Sequence, residues 1–203
     1  MTGNGAQVRR GCGMQARNEP QEIFLNPGAF AFGEGHTRIR TILGSCVAVT
    51  FWNPELKTGA MCHYMLPSRP AGRSAPLDGR YGDEVIEMIT DKFRIQELQP
   101  RHFQVKLFGG SNMSPGLGNS DAPSIGMKNI EIGARLLKEK GFSIRNADVG
   151  HCQHRTIIFD VRSGEVWVRR GPSGCEMKCV FKPEEGCPHL REVIHRHDPK
   201  PSV

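Results

Sequence analysis

The feature that most constrains the fold is a pair of apolar runs, residues 41–52 and 59–67, separated by a short polar segment. In the first run, Val47, Val49 and Phe51 alternate with small or polar residues, and the second run is bounded by glycine and proline. Both patterns are typical of β-strands. The segment between them contains proline, asparagine and threonine, which favour turns. The two runs are therefore predicted to form an antiparallel hairpin.

This hairpin brings Cys46 close to His63. With a loop centred near Glu55, Cys46 falls opposite a residue within about two places of His63, which is a cross-strand neighbour distance. An imidazole in that position can take the thiol proton and generate a thiolate nucleophile. Gly44 and Ser45 leave backbone N–H groups free to point at a developing oxyanion. The pattern indicates a catalytic cysteine, and the alternative is an ordinary core cysteine in a valine-rich strand.

Length and composition predict one domain with tails, since the chain has 203 residues and a formal net charge of +6. No apolar run is long enough to cross a bilayer and the first residues lack the order of a secretion signal, so we expect a soluble, cytoplasmic protein. The seven cysteines are scattered and odd in number, which favours reduced thiols. Basic and acidic residues are interleaved, so an acidic protein partner fits the charge as well as nucleic acid does.

Two helices alternate with strands in the rest of the chain. One is predicted from Asp83 to near Glu97, and the other is capped at Ser124 and followed by Gly141. Further strands are predicted at 29–32, 103–107, 144–149, 155–161 and 166–168. The order predicts an α/β or α+β fold, a layered sandwich of mixed β-sheet with two main helices. The predicted division is a mobile N-terminal arm (1–21), a folded domain (22–170) and a tail containing cysteine and proline (171–203).

A glycine-rich loop follows the strand at 103–107. It lacks the Lys-Ser/Thr ending of a phosphate-binding loop and the glycine spacing of a dinucleotide fold. We therefore expect its backbone to shape a pocket, with Gly109 and Gly110 as candidate substrate-pocket residues beside Gly44 and Ser45.

A metal site is the alternative use of several histidines and cysteines. Zinc accepts these residue types as ligands, but their spacing does not match a tight pair of CxxC motifs. The candidates are His151, Cys152 and His154, with Cys175, Cys179, Cys187 and His189 in the tail. We predict no metal and no cofactor.

Several separated segments together resemble the CheD family, the chemoreceptor glutamine deamidases of bacterial chemotaxis. Residues 43–49 look like the family's nucleophile segment, and residues 63–67 look like its histidine segment at the expected separation. The similarity covers roughly residues 22–170. Further matching segments are 79–81, 108–113, 125–129, 157–160 and 164–166.

The resemblance implies a layered α/β sandwich shared with the deamidase domains of cytotoxic necrotising toxins. It also implies a reaction, the conversion of glutamines in methyl-accepting chemotaxis receptors to glutamate through a cysteine thioester, with release of ammonia. In this chain Cys46 would be the nucleophile and His63 the general base and acid. A threonine upstream of the cysteine completes the family site, and Thr41 is the candidate here.

One segment departs from the family pattern. Where the family tends to have Gly-Gly-Asn and a following glycine, residues 150–155 read Gly-His-Cys-Gln-His-Arg. This difference supports an alternative function, in which the chain is a non-catalytic or weakly catalytic chemotaxis module that binds a CheC-type phosphatase. Nucleic-acid binding and membrane insertion are not expected.

Overall fold

The computed structural model describes residues 20–70, 75–113 and 123–172. Within them the helices are α1 (Gly82–Ile95) and α2 (Ile125–Glu139), and a short 3-10 turn spans Pro100–His102. The strands are β1 (Gln21–Phe24), β2 (Phe30–Glu34), β3 (Thr37–Leu43), β4 (Val47–Asn53), β5 (Thr58–Tyr64), β6 (Gln104–Gly109), β7 (Ile144–Val149), β8 (Arg155–Asp160) and β9 (Val166–Arg170). The predicted arm and tail lie almost entirely outside the described residues, so both stay predictions.

The strands form two mixed sheets. One sheet has the order β1-β3-β8-β9 and the other has the order β2-β5-β4-β6-β7. In the first sheet β1 is parallel to β3, and in the second β6 is parallel to β7. Parallel neighbours need a crossover connection, and α2 lies in the connection from β6 to β7.

The two sheets and the helices form three layers. Between the sheets, Ile39 and Phe159 of the four-stranded sheet pack against Ala48 and Met61 of the five-stranded sheet. The helices cover the other face of the five-stranded sheet with buried apolar side chains, which are Val85, Ile86, Ile89 and Phe93 of α1 and Ile130, Ala134 and Leu137 of α2. The predicted layered α+β sandwich with two main helices is confirmed.

The predicted hairpin is also confirmed, as β4 and β5. Their register pairs Asn53 with Thr58 at the turn, so the loop is centred near Glu55 as expected. The Asn53 side-chain oxygen accepts hydrogen bonds from the N–H groups of Glu55 and Leu56, at 3.0 and 3.1 Å. These local bonds close the turn and fix the register on which the site depends.

Both helices begin where the sequence indicates. The Ser124 hydroxyl caps α2 by accepting from the N–H of Met127 at 3.3 Å. Helix α1 has Asp83 and Glu84 in its first turn, where carboxylates complement the helix dipole. Neither described helix is long and apolar enough to span a membrane.

Candidate active site

Cys46 lies in a turn that crosses from one sheet to the other. Strand β3 ends at Leu43 in the four-stranded sheet, and β4 begins at Val47 in the five-stranded sheet. The prediction of one continuous strand over 41–52 is therefore wrong, because its two halves belong to different layers. Cys46 itself remains partly exposed at the turn.

Thr41 and His63 meet across the two sheets. The Thr41 Oγ1 lies 2.8 Å from the His63 Nδ1, and the same hydroxyl lies 2.6 Å from the carbonyl oxygen of Leu25. Because a carbonyl only accepts, the hydroxyl proton goes to Leu25, and Thr41 Oγ1 accepts the proton of Nδ1. This assignment makes Nε2 of the neutral His63 ring the unprotonated acceptor.

Strand alternation explains why Thr41 is the threonine that reaches His63. Thr41 is 1% exposed and points into the layer between the sheets. Its neighbours Arg40 and Ile42 are exposed on the outer face of the same strand. Successive side chains of a strand point to opposite faces, so a residue at position 40 could not make this contact.

Cys46 and His63 share the same face of the five-stranded sheet. Ala48 is directly opposite His63 in the β4–β5 register, and Cys46 precedes Ala48 by two residues, so it is the diagonal neighbour of His63. Cys46 packs against the core between the sheets, as does Met61. Among the described residues, no hydrogen bond reaches the buried Nε2 of His63. Cys46 therefore makes no hydrogen bond to Nε2 in this structure, and hydrogen bonds of this kind often tighten only when a substrate binds.

Burial sets the charge states of this pair. Burial raises the pKa of the Cys46 thiol above its ordinary value of 9.0, and the hydrogen bond from its own N–H only partly opposes the shift. Burial lowers the pKa of His63 below its ordinary value of 6.5, and the nearby Leu25 carbonyl partly opposes that shift. Both groups are therefore neutral near pH 7, so Cys46 is a thiol and not a thiolate in this state.

The glycine-rich segment after β6 supports the Cys46 turn. The N–H of Gly110 donates to the Cys46 carbonyl at 2.8 Å, and the N–H of Ser111 donates to the Gly44 carbonyl at 2.9 Å. The structure thus places Gly110 beside Cys46, with its N–H already bonded to the Cys46 carbonyl. In the described part of the chain, no backbone carbonyl accepts from the N–H of Ser45 or Cys46. The pocket and oxyanion roles of the predicted glycines and Ser45 stay predictions.

We expect Gly109→Ala to destabilise the fold by about 2–4 kcal/mol. Gly109 has a φ of +103°, and an added Cβ would lie 2.2 Å from the Cys46 carbonyl oxygen. Urea denaturation measures the loss. The matched control is Gly35→Ala, at a positive φ with no atom within 4 Å of the added Cβ, which should lose only about 1 kcal/mol. Equal losses of stability in the two variants would mean that the clash between the added Cβ and the Cys46 carbonyl oxygen does not contribute.

Asn129 is a functional candidate that the sequence analysis missed. Its side-chain NH₂ donates to the carbonyls of Ser45, at 3.0 Å, and Met65, at 2.8 Å. The side chain is fully buried. Residues 125–129 are one of the segments that resemble the family, but the resemblance gives Asn129 no role. The signal for this contact in the sequence is a polar side chain next to Ile130 within the buried stripe of α2.

Arg155 is a second residue that the sequence analysis missed. It is fully buried, its Nε donates to Asp148 at 2.8 Å, and its Nη1 donates to the Ser111 hydroxyl at 2.6 Å. Because the N–H of Ser111 also donates to the Gly44 carbonyl, Arg155 supports the Cys46 turn through Ser111. The available signal is a charged residue at the start of a strand whose centre, residues 157–159, is apolar.

Two exposed methionines, Met65 and Met113, lie next to the turn. The Met65 carbonyl shares the Asn129 amide with that of Ser45, and the Met113 side chain lies 3.3 Å from where a Cβ on Gly44 would be. Met65 and Met113 are 37% and 49% exposed. Exposed methionines of this kind next to Cys46 are suited to contact with another protein.

A cavity of about 630 Å³ lies at the other end of the sheets. It contains none of the three predicted catalytic residues, since its lining comes from the β2–β5 end distant from His63 and from the end of α1. Its apolar lining includes Ile23, Phe32, Leu56, Phe93, Leu98 and Phe103. This cavity is therefore separate from the Cys46 turn.

The described residues do not assemble the alternative metal site. In ranges 20–70, 75–113 and 123–172, no three His, Cys, Asp or Glu side chains converge as ligands. Cys46 and Cys62 are free thiols, whereas Cys152 is disulfide-bonded, so the expectation of reduced thiols is wrong at Cys152. A sulfur in a disulfide is not a thiolate ligand. The remaining candidates, from Cys175 to His189, lie outside the described residues.

The structure thus defines a class of protein: a layered α+β sandwich with a cysteine, a histidine and a threonine at one end of the layer between its sheets. This residue set suits cysteine-dependent acyl transfer. Residues 65–170, more than half of the chain, match the family model for CheD chemotactic sensory transduction. The chain belongs to the CheD family.

Three named relatives match a larger share of the chain than the family model does. The chain is 43% identical over 153 residues to "Probable chemoreceptor glutamine deamidase CheD 3" of Dechloromonas aromatica, which covers 75% of this chain and 89% of the relative. It is 44% identical over 152 residues to "Probable chemoreceptor glutamine deamidase CheD" of Pseudomonas syringae pv. tomato, with coverage of 74% and 90%. The chain is 38% identical over 157 residues to "Probable chemoreceptor glutamine deamidase CheD 1" of Leptospira interrogans, which covers 73% of this chain and 92% of the relative.

Proposed function

We propose that this chain is a protein-glutamine deamidase that converts glutamines of chemoreceptors to glutamate through a thioester on Cys46. The observation that carries the proposal is the buried hydrogen-bond chain from Leu25 through Thr41 to His63, next to the partly exposed Cys46. The similarity to relatives named as chemoreceptor glutamine deamidases supports the substrate class.

In the first half-reaction, the Cys46 sulfur attacks the side-chain amide carbon of a substrate glutamine, and the thiol proton passes to His63 Nε2. The oxyanion that develops on the amide oxygen can accept from the N–H of Cys46, with Ser45 as a second donor. The C–N bond then breaks, and the protonated imidazole returns its proton to the departing nitrogen. The products are ammonia and a thioester between substrate and Cys46.

In the second half-reaction, water attacks the thioester carbon and gives a proton to His63 Nε2. The C–S bond breaks, the sulfur regains a proton from His63, and the substrate leaves as glutamate. The net change is one water consumed and one ammonia released for each glutamine. Thr41 keeps Nδ1 protonated throughout, so Nε2 is available to accept in both steps.

The direct test is incubation of the full chain with the cytoplasmic fragment of a methyl-accepting chemoreceptor. We expect ammonia release together with a mass gain of about 1 Da per modified glutamine, because an amide NH₂ is replaced by OH. Acid quenching early in the reaction should trap the thioester as an adduct on Cys46. A fragment with glutamate at the modified positions is the control and should give neither signal. Absence of both signals on every chemoreceptor fragment would refute the proposed function.

Thr41→Val is expected to lower kcat by about 10- to 100-fold, because the variant keeps the side-chain shape but loses the acceptor for the Nδ1 proton. The ring can then adopt the wrong tautomer or rotate. The control is Thr50→Val, the same change at a buried threonine of β4 that lies outside this hydrogen-bond chain. A folded Thr41→Val protein with unchanged kcat would remove Thr41 from the site.

The pH dependence follows from the lowered pKa of His63 and the raised pKa of Cys46. We expect kcat/KM to rise from acid pH with an inflection below 6.5 and then to stay level towards pH 9.0, because neutral His63 is the proton acceptor. His63 protonation also favours the unfolded state, so stability falls as pH drops below 6.5. Circular dichroism at each pH separates the two effects. An inflection above 6.5 would contradict this charge assignment.

A further inference from the structure

Three buried side-chain atoms lack a hydrogen-bond partner in the described part of the chain, and all three belong to residues around the Cys46 turn. They are Nε2 of His63, Oδ1 of Asn129 and Nη2 of Arg155. Buried polar atoms of this kind need an explanation, because leaving one unpaired costs about 1–3 kcal/mol. The proposed reaction accounts for His63 Nε2, which is the proton acceptor, but it does not account for Asn129.

The two side-chain N–H donors of Asn129 hold two segments together. One accepting carbonyl belongs to Ser45, the residue immediately before Cys46, and the other belongs to Met65, two residues after His63. A single amide group therefore links the turn that carries the nucleophile to the strand end that carries the base. Helix α2 is itself anchored there, because the Tyr64 hydroxyl donates to the Asn129 carbonyl at 2.7 Å.

Position 129 requires a side chain with two hydrogen-bond donors. Both partners are carbonyl oxygens, so a carboxylate would repel them and a hydroxyl could reach only one. Among the described residues, the orientation that serves both carbonyls leaves Oδ1 without a hydrogen-bond partner, at a cost to stability.

We propose that Asn129 is a positioning residue that sets the separation between the Cys46 sulfur and His63 Nε2. Its effect on turnover rests on the proposed deamidase function, but its effect on Cys46 reactivity does not. Because the side chain is fully buried, it acts through the turn and does not touch substrate. Its loss should therefore lower kcat more than it changes KM.

The test compares Asn129→Asp with Asn53→Asp. The first change replaces both donors with acceptors at nearly constant shape. The second is the matched control, because the Asn53 oxygen, which accepts from two N–H groups, is retained in aspartate. Two readouts are taken on the full chain: kinetics on a receptor fragment, and the pH profile of Cys46 alkylation by iodoacetamide, followed at Cys46 by peptide mass spectrometry.

For Asn129→Asp we expect kcat to fall about 100-fold with little change in KM, since small misplacements of reacting groups have effects of this size. The alkylation rate near neutral pH should fall about tenfold, and its pH profile should approach that of His63→Gln. Asn53→Asp should match the wild type in both readouts.

A folded Asn129→Asp protein with the wild-type alkylation profile would overturn the proposal. If Asn129→Asp does not fold, the same readouts are taken on Asn129→Ser, which introduces no buried charge. Failure of both variants to fold would assign Asn129 to stability alone and also overturn it. A wild-type chain that deamidates no receptor, combined with a shifted profile in the variant, would refute the deamidase function and leave the positioning role standing.

Discussion

Cys46→Ala is expected to reduce ammonia release from a receptor fragment to background, a loss of at least about 10⁴-fold. The variant retains the turn and the His63 ring but has no atom that can form the thioester. The measurement is ammonia release with the mass of the receptor fragment as a second readout. Cys46→Ser should also be inactive within detection, because a hydroxyl is a much weaker nucleophile than a thiol near neutral pH.

Cys62→Ala is the matched control for this prediction. Cys62 is also a free thiol in a strand, but it is fully buried on the helix side of the five-stranded sheet, and burial raises its pKa to about 12. Its removal leaves the Cys46 turn unchanged, so activity should be retained. Ammonia release by a folded Cys46→Ala protein would show that another group performs the attack.

His63→Gln should lower kcat/KM by about 10³- to 10⁴-fold at neutral pH, because the thiol then has no proton acceptor. Burial already raises the pKa of Cys46, so the unassisted thiolate fraction is small. Activity of the variant should rise steadily with pH as thiolate forms without a base. Rates measured across the alkaline range separate this behaviour from the level profile of the wild type.

The control for the histidine is His36→Gln. His36 is exposed in the turn between β2 and β3, and only its backbone carbonyl makes a described contact, with the N–H of Gln21. We expect wild-type kinetics from this variant. A His63→Gln protein with the wild-type pH profile would remove His63 from proton transfer.

Binding to a CheC-type phosphatase stays a prediction, and so does a weakly catalytic role. The weakly catalytic alternative was suggested by residues 150–155. Within this segment, His151 has a φ of +65°, a backbone conformation in which glycine is favoured. Its carbonyl accepts from the N–H of Asn112 at 2.6 Å, so the segment packs against the glycine-rich loop next to the site. The departure from the family pattern thus lies close to the Cys46 turn.

Local patterns in the sequence determined most of the elements. Period-two alternation identified β4 and β6, the 3.6-residue spacing identified both helices, and the Ser124 cap fixed the start of α2. The hairpin between β4 and β5 was predictable because its two strands are adjacent in the chain and joined by a short turn. These features depend on neighbouring residues, which is why one sequence suffices to predict them.

The tertiary structure alone decided how the site is assembled. Thr41 contacts His63 because β3 and β5 belong to different sheets that pack face to face. The alternation of side chains along a strand does not indicate which sheet the strand joins. The same stacking turns a predicted continuous strand into two strands, with Cys46 at the crossing. The contacts of Leu25 with Thr41 and of Asn129 with Ser45 join residues that are 16 and 84 positions apart in the chain. The sequence by itself therefore determined the elements and the candidate residues, whereas packing between layers determined their contacts.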